Sequence, residues 1–261
     1  MGLENTVRKE IEDGGTVLGA RASSFSPALV EIYGNICLDF VWLDFEHGGG
    51  SPEDTETLTH LERAAELSDI QLLVRLPHGK PAVIRKVLDT GVRNLLVPRV
   101  KTAAQVQRAV EAARFEYDGQ PGERGIAHQR SSNYGTMDNY VQHEDAAVNI
   151  GVMIETREAV DNLSEILSVS ELGFVFIGEN DLSVQLGHPV ESTHSDVQNA
   201  IKKIEDECRE EGVPLGAVAH SPPLAREKLE SGYQILRIGG DFEAAKQTLV
   251  DRVAQLKPDD Q

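Results

Sequence analysis

The feature that most constrains this chain is an alternation: eight short, branched, apolar runs are separated by longer segments of helical spacing. Such runs suit parallel strands buried on both faces, and the segments between them suit the helices that cover the sheet. The runs are Thr16–Ala20, Phe40–Asp44, Gln71–Arg75, Asn94–Pro98, Gly151–Glu155, Gly173–Gly178, Pro214–Ala219 and Gln234–Ile238. Helical segments include Pro52–Leu67, Pro81–Thr90, Thr102–Phe115, Asp138–Ala147, Arg157–Ser168, His194–Glu211, Pro222–Ser231 and Asp241–Leu256. An open doubly wound sheet would need a glycine-rich first turn, and no G-x-G-x-x-G is present. The spacing therefore predicts an α/β protein with a single (β/α)8 TIM barrel over residues 1–261. Ser51-Pro52 reads as a helix start, and Gly91 and Gly212 as helix stops. The long polar segment Glu116–Tyr140 reads as an active-site lid or a partner-contacting excursion.

Charge removes several function classes. Lys and Arg number 25 against 43 Asp and Glu, a net charge of −18 without the basic stripe that nucleic-acid binding requires. The acidity is spread through the helices, with nine lysines against sixteen arginines, and predicts a halophilic, hydrated surface suited to a salt-rich cytoplasm. Cys37 and Cys208 lack a partner motif and read as core thiols. Met1–Asp13 is charged and no run of 18 apolar residues occurs, so the expectation is a cytoplasmic protein with no membrane partner.

Barrel chemistry gathers at the carboxyl ends of strands. Asp44, Arg75 and Glu155 finish apolar runs, and Asp181 follows Gly178-Glu179-Asn180, so these four converge on one rim. Glu155 and Asp181 can hold a hard divalent cation, Mg²⁺ or Mn²⁺ with Co²⁺ as a third candidate. The structural alternative pairs Glu155 with Arg157 or has it cap the following helix, and makes Asp181 the N-cap of Leu182–Leu186. His47, before three glycines, is a candidate general base or an ordinary surface histidine. Arg75 ends a buried strand and demands an anion there.

Trp42-Leu43-Asp44-Phe45-Glu46-His47, Leu73-Val74-Arg75, Ile154-Glu155-Thr156-Arg157-Glu158-Ala159 and Phe176 through Ser183 resemble, in order, the HpcH/HpaI aldolase family. Val87 through Gly91, Asn94 through Pro98, Arg124-Gly125 and Ser131–Gly135 extend the resemblance. It implies a metal-dependent cleavage of a 2-keto-4-hydroxy acid to pyruvate and an aldehyde, both small-molecule partners. By it Glu155 and Asp181 are metal ligands, Arg75 stabilises the enolate oxygen, and His47 is the acid/base at the C4 hydroxyl. Asp89 would orient His47 from a neighbouring subunit of a homo-oligomer, a hexamer by the family's pattern. Asp44, Glu179 and Asn180 fall in the substrate pocket, with the 179–181 amides facing the substrate carboxylate. Met153 stands where the family commonly has Gln, Glu179 where it has Pro, and Asn180 where it has a small residue. The loop His220-Ser221-Pro222-Pro223 also departs.

Rival readings differ in chemistry. A Schiff-base aldolase needs an inward strand lysine, and the nearest, Lys101, lies at a helix start. A CoA-thioester lyase or synthase would need an added segment to cover its ligand. A catalytically silent barrel would not need the carboxylate pair. On the last helix, Ala244, Ala245, Leu249, Val253 and Leu256 could pack on the barrel or exchange with a neighbour.

Overall fold

The computed structural model describes residues 4–257; residues 1–3 and 258–261, which belong to the Met1–Asp13 and 1–261 expectations, lie outside the described residues. The strands are β1 (Val17–Arg21), β2 (Phe40–Asp44), β3 (Gln71–Arg75), β4 (Asn94–Val97), β5 (Glu116–Tyr117), β6 (Gln120–Pro121), β7 (Asn149–Ile154), β8 (Phe174–Ile177), β9 (Leu215–Val218) and β10 (Ile235–Gly240). Eight of them close a parallel barrel in the cyclic order β1-β10-β9-β8-β7-β4-β3-β2, and β5 and β6 form a separate hairpin. The (β/α)8 barrel expected from the alternation is the fold. No described helix is long and apolar enough to cross a membrane.

Strand period decides what fills the barrel. Alternate side chains point in and out, and the inward set Phe40, Trp42, Leu73, Leu96, Met153, Phe174, Phe176 and Ile235 packs as one cluster. The outward set, among them Val41, Leu43, Leu72, Val74, Val152 and Ile154, packs in the larger cluster with the covering helices. Gly151 makes room inside, since a Cβ there would lie 2.2 Å from the Phe174 ring. The floor is α1 (Thr6–Glu12), which the charged N-terminal sequence did not suggest: Val7 and Ile11 join the inner cluster. Asn5 fixes it there, donating to Asn94 Oδ1 at 2.8 Å.

The outer helices are α2 (Pro27–Asn35), α3 (Thr55–Leu67), α4 (Pro81–Leu88), α5 (Ala103–Ala113), α6 (Tyr140–Ala147), α7 (Arg157–Asp161), α8 (Leu163–Leu167), α9 (Glu179–Gln185), α10 (Ser195–Glu211), α11 (Pro222–Glu230) and α12 (Asp241–Leu256). Several differ from expectation. Helix α3 starts at Thr55, not Pro52, because Asp54 accepts the Thr57 N–H at 3.2 Å and is the N-cap. The 157–168 segment is two helices meeting at Asn162, which caps both. Cys208 is buried, but Cys37 is exposed, in a left-handed turn with φ 62° after α2.

The Glu116–Tyr140 excursion is not a lid over its own site. It follows α5, which returns the chain to the amino ends of the strands, and precedes β7; there Ser131 N–H donates to the Asp89 carbonyl at 3.3 Å. Arg93 and Arg124 fasten its base, holding Glu144 at 2.7 and 2.8 Å. No residue of α12 is buried: Leu249, Val253 and Leu256 face outward, so packing on its own barrel is ruled out.

Candidate active site

Period two also builds the mouth. One step above the last apolar layer the inward positions become Arg21, Asp44, Arg75, Glu155 and Arg237, so the hydrophobic filling ends in a charged ring. With His47, Glu179, Asn180 and Asp181 they line one cavity of about 320 Å³. A second cavity of about 300 Å³, between residues 77–81 and 97–100, holds no carboxylate, and the chemistry favours the first.

Arg75 organises one side. Its Nε donates to Asp44 Oδ1 at 2.9 Å and its Nη2 to Oδ2 at 2.6 Å, because β2 and β3 end in register. Burial opposes charge on Asp44, but the Arg75 guanidinium overcomes it and holds that carboxyl below the usual range. Asp44 Oδ1 also accepts the N–H groups of Glu46 and His47 at 3.1 and 3.3 Å, folding the loop that carries the histidine. Its carboxylate is thus engaged by protein donors while Asp44 also lines the cavity. Glu46 Oε2 lies 2.8 Å from Arg75 Nη1 without hydrogen-bond geometry, and burial raises its pKa. The His47 side chain is 59% exposed, its Nε2 3.7 Å from Glu46.

Across the mouth, Glu155 is 1% exposed and does not pair with Arg157; its Oε1 accepts the Arg99 N–H at 2.7 Å. Arg99 reaches that geometry in the left-handed region, φ 55°, a strain seldom kept without such a partner. Gly178 is required beside it, because a Cβ there would stand 2.7 Å from Glu155 Cβ and Oε2. Asp181 is the third residue of α9, whose N-cap is Gly178, so the N-cap alternative fails. Burial first, then Glu46 and Asp181, push Glu155 up to about 7. Glu155 has Glu46 and Asp181 as carboxylate neighbours, with Arg99 Nη1 3.8 Å from Asp181, and the donors this pair presents are made only of oxygen. These residues fit a hard divalent cation.

Glu179 and Asn180 border the cavity, where the resemblance put them; the Glu179 carboxylate meets Lys228 Nζ at 2.6 Å, and the Asn180 backbone carbonyl accepts from Ser183 Oγ at 2.6 Å. Asp89 does not join the cavity: it closes α4 at the far end of the barrel, in a depression with Arg85, Glu123 and Gly125. Sequence reasoning passed over Arg21, Arg237, the Arg99 amide and Lys228. Arg237 had a signal, an arginine between Leu236 and Ile238 inside a strand. It also passed over His188, His194 and Asp196, whose donor atoms lie within 4.8 Å of one another. Capping accounts for that group, since His194 Nδ1 accepts the Asp196 N–H as N-cap of α10.

Fold and site together define a parallel (β/α)8 barrel with a carboxylate- and guanidinium-lined mouth. The chain belongs to the HpcH/HpaI aldolase/citrate lyase family, which matches residues 20–247. It is 32% identical over 255 residues to a 2-keto-3-deoxy-L-rhamnonate aldolase of Salmonella gallinarum (strain 287/91 / NCTC 13346), covering 98% of this chain and 94% of that one. To a hydroxypyruvate/pyruvate aldolase of Roseobacter denitrificans (strain ATCC 33942 / OCh 114) it is 32% identical, covering 91% of each. Among solved structures, an HpcH/HpaI aldolase/citrate lyase family protein from Burkholderia cenocepacia J2315 superposes with a TM-score of 0.90 at 26% identity, over 97% of this chain and 99% of that one.

Proposed function

We propose that the protein, one (β/α)8 unit over residues 1–261, reversibly cleaves a 2-keto-4-hydroxy acid, such as a 2-keto-3-deoxy sugar acid, to pyruvate and an aldehyde. It is a carbon–carbon lyase of the class II aldolase type, in a family that depends on divalent metal. The observation that carries the reading is that Glu155, Asp181, Arg75 and His47 line one cavity. A Mg²⁺ or Mn²⁺ ion held by Glu155 and Asp181 would supply positive charge to the carboxylate and keto oxygens of the 2-keto acid.

The remaining steps belong to side chains. His47 takes the proton of the C4 hydroxyl, directly or through water. The C3–C4 bond then breaks, its electron pair forms the C2–C3 double bond, and negative charge gathers on the C2 oxygen. Arg75, aimed by Asp44, donates to that oxygen. The proton returns to C3 as the pyruvate methyl forms, and the aldehyde leaves. Met153, beneath Arg75 with its Sδ 3.8 Å from Nη1, closes the pocket floor with an apolar group.

The reading includes a homo-oligomer, a hexamer, in the cytoplasm. Its support is α12, which leaves its apolar side unpacked, and Asp89, which its own barrel carries away from His47. The direct test is Glu155→Gln, which should lose Mn²⁺ binding by calorimetry and pyruvate release together. A variant that kept wild-type activity after exhaustive chelation would contradict the metal assignment.

A further inference from the structure

The mouth of the barrel holds more guanidinium than the keto-acid end uses. Arg75 is matched by Asp44 and Glu46, whereas Arg21 and Arg237 are not. Arg237 is 12% exposed, its nearest carboxylate contact is Glu243 at 3.9 Å, and its Nε is buried without a hydrogen-bond partner. Arg21 stands 3.4 Å from Asp44 Oδ2, an oxygen that Arg75 already holds at 2.6 Å, and its own Nε is also buried and unpartnered. Burial lowers the pKa of Arg237, Glu243 opposes this, and Arg21 and Arg75 add repulsion. Arginine nevertheless keeps its charge in a protein. Two partly shielded guanidiniums, 27% and 12% exposed, whose carboxylate contacts are a 3.4 Å approach to an oxygen that Arg75 already holds and a 3.9 Å approach to Glu243, are therefore short of anionic partners until an anion arrives.

Topology says which end of a substrate that anion belongs to. In the cyclic strand order β1 lies four places from β7 by either route, so Arg21 faces Glu155 across the mouth, and Arg237 on β10 is beside Arg21. His47 lies on the arginine side and shares a second depression with Arg21, lined also by Ser23, Gly48 and Glu243. A ligand with its keto acid at Glu155 and Asp181 and its C4 hydroxyl at His47 would bring its far end to Arg21 and Arg237.

We propose that Arg21 and Arg237 form a second anion subsite, which receives a carboxylate or phosphate ester on the aldehyde half of the substrate. The inference rests on the aldolase reading above and adds that the preferred aldehyde is itself an anion. Each guanidinium fork matches either anion in bidentate fashion.

The first test needs no turnover. 2-Oxoglutarate and 2-oxopentanoate share a five-carbon 2-keto chain and differ in the distal carboxylate. Calorimetry with Mg²⁺ should show the diacid binding at least about tenfold more tightly, as a charge-assisted hydrogen bond allows. That preference should fall within about threefold in Arg21→Gln and in Arg237→Gln, with far-ultraviolet dichroism unchanged. The second test is pyruvate release from 4-hydroxy-2-oxoglutarate, 2-keto-3-deoxy-6-phosphogluconate and unphosphorylated 2-keto-3-deoxygluconate. The faster of the first two identifies carboxylate or phosphate, and the arginine variants should lose activity on that substrate while keeping it on the third. Equal binding of the two keto acids by the wild-type protein, or a preference surviving in both variants, would overturn the subsite. Cleavage of 2-keto-3-deoxygluconate without preference for a substrate whose aldehyde half is anionic would remove the subsite alone. No keto-acid binding and no pyruvate from any substrate would remove the aldolase reading and the subsite with it.

Discussion

His47 and Arg75 act at opposite ends of the proposed reaction, so their substitutions should separate. His47→Ala should lower cleavage by roughly 10²–10⁴-fold while exchange of pyruvate methyl protons continues; Arg75→Ala should lose both. Equal loss of both activities in both variants, followed by proton NMR and pyruvate release, would remove the division of labour. Glu62 makes a separate prediction about stability. Its carboxyl is buried on α3, Oε2 has no hydrogen-bond partner, and burial pushes its pKa up to about 8, with Arg130 and Arg93 opposing and Glu66 adding to the rise. A carboxyl whose folded pKa exceeds its unfolded value binds more protons in the native state, so stability declines as pH rises from the unfolded pKa to about 8. Glu62→Gln should flatten that decline, by at most about 1.4 kcal/mol per pH unit, as read from urea midpoints taken from about pH 5 to about pH 8, between the unfolded and folded values. At this scale Asp44, Arg75 and Glu155 were legible because each ends an apolar run, where the inward period meets solvent. Arg237 carried the weaker signal of an arginine inside an apolar strand and did not mark a strand end, because β10 continues past it through Ile238 and Gly239. Arg99 acts through a backbone N–H that carries no residue signature.

Elements place those side chains through close backbone approach. The turn from β8 into α9 passes Glu155 so tightly that Gly178→Ala should push the carboxylate aside. The expected outcome is weaker Mn²⁺ binding by calorimetry, with the melting temperature reduced by no more than a few degrees, as for a local clash. Unchanged metal affinity would show that the Gly178 contact does not set the Glu155 position. The eight barrel strands were legible to within two residues at each end, since buried parallel strands are near-continuous apolar runs. Helix ends were less so: the Asp54 side-chain cap overrides the proline, and the 157–168 segment breaks at Asn162, whose side-chain Nδ2 donates to the Lys101 carbonyl rather than capping a helix. Helix α1 escaped notice since only Val7 and Ile11 of its seven residues are buried. The 116–140 segment was legible as an excursion but not as one on the far face: that follows only from the direction of α5.

The whole molecule carries −18 of formal charge on a barrel whose last helix has nothing to cover it. Self-repulsion at low ionic strength acts on subunit contacts before it acts on an apolar core. Lowering potassium chloride should therefore dissociate the assembly and stop catalysis before far-ultraviolet dichroism changes, with light scattering as the measure of size. A monomer fully active in dilute buffer would contradict both the salt adaptation and a site completed by Asp89 of a neighbour. Asp89→Ala should lower turnover in the assembled enzyme although Asp89 lies away from the cavity of its own chain; no change in turnover would place it outside the reaction. The proposed oligomer comes from family likeness, because an unpartnered helix face cannot be told from a packed one by its apolar period. The account's central claim is metal-dependent release of pyruvate, and one measurement reaches it most directly. Metal-stripped protein is offered a panel of 2-keto-3-deoxy sugar acids and 4-hydroxy-2-keto acids, and pyruvate is assayed before and after Mg²⁺ or Mn²⁺ is restored. The account predicts no release without metal and release from at least one substrate once it returns; full activity without metal, or no pyruvate from any substrate with it, would contradict the account.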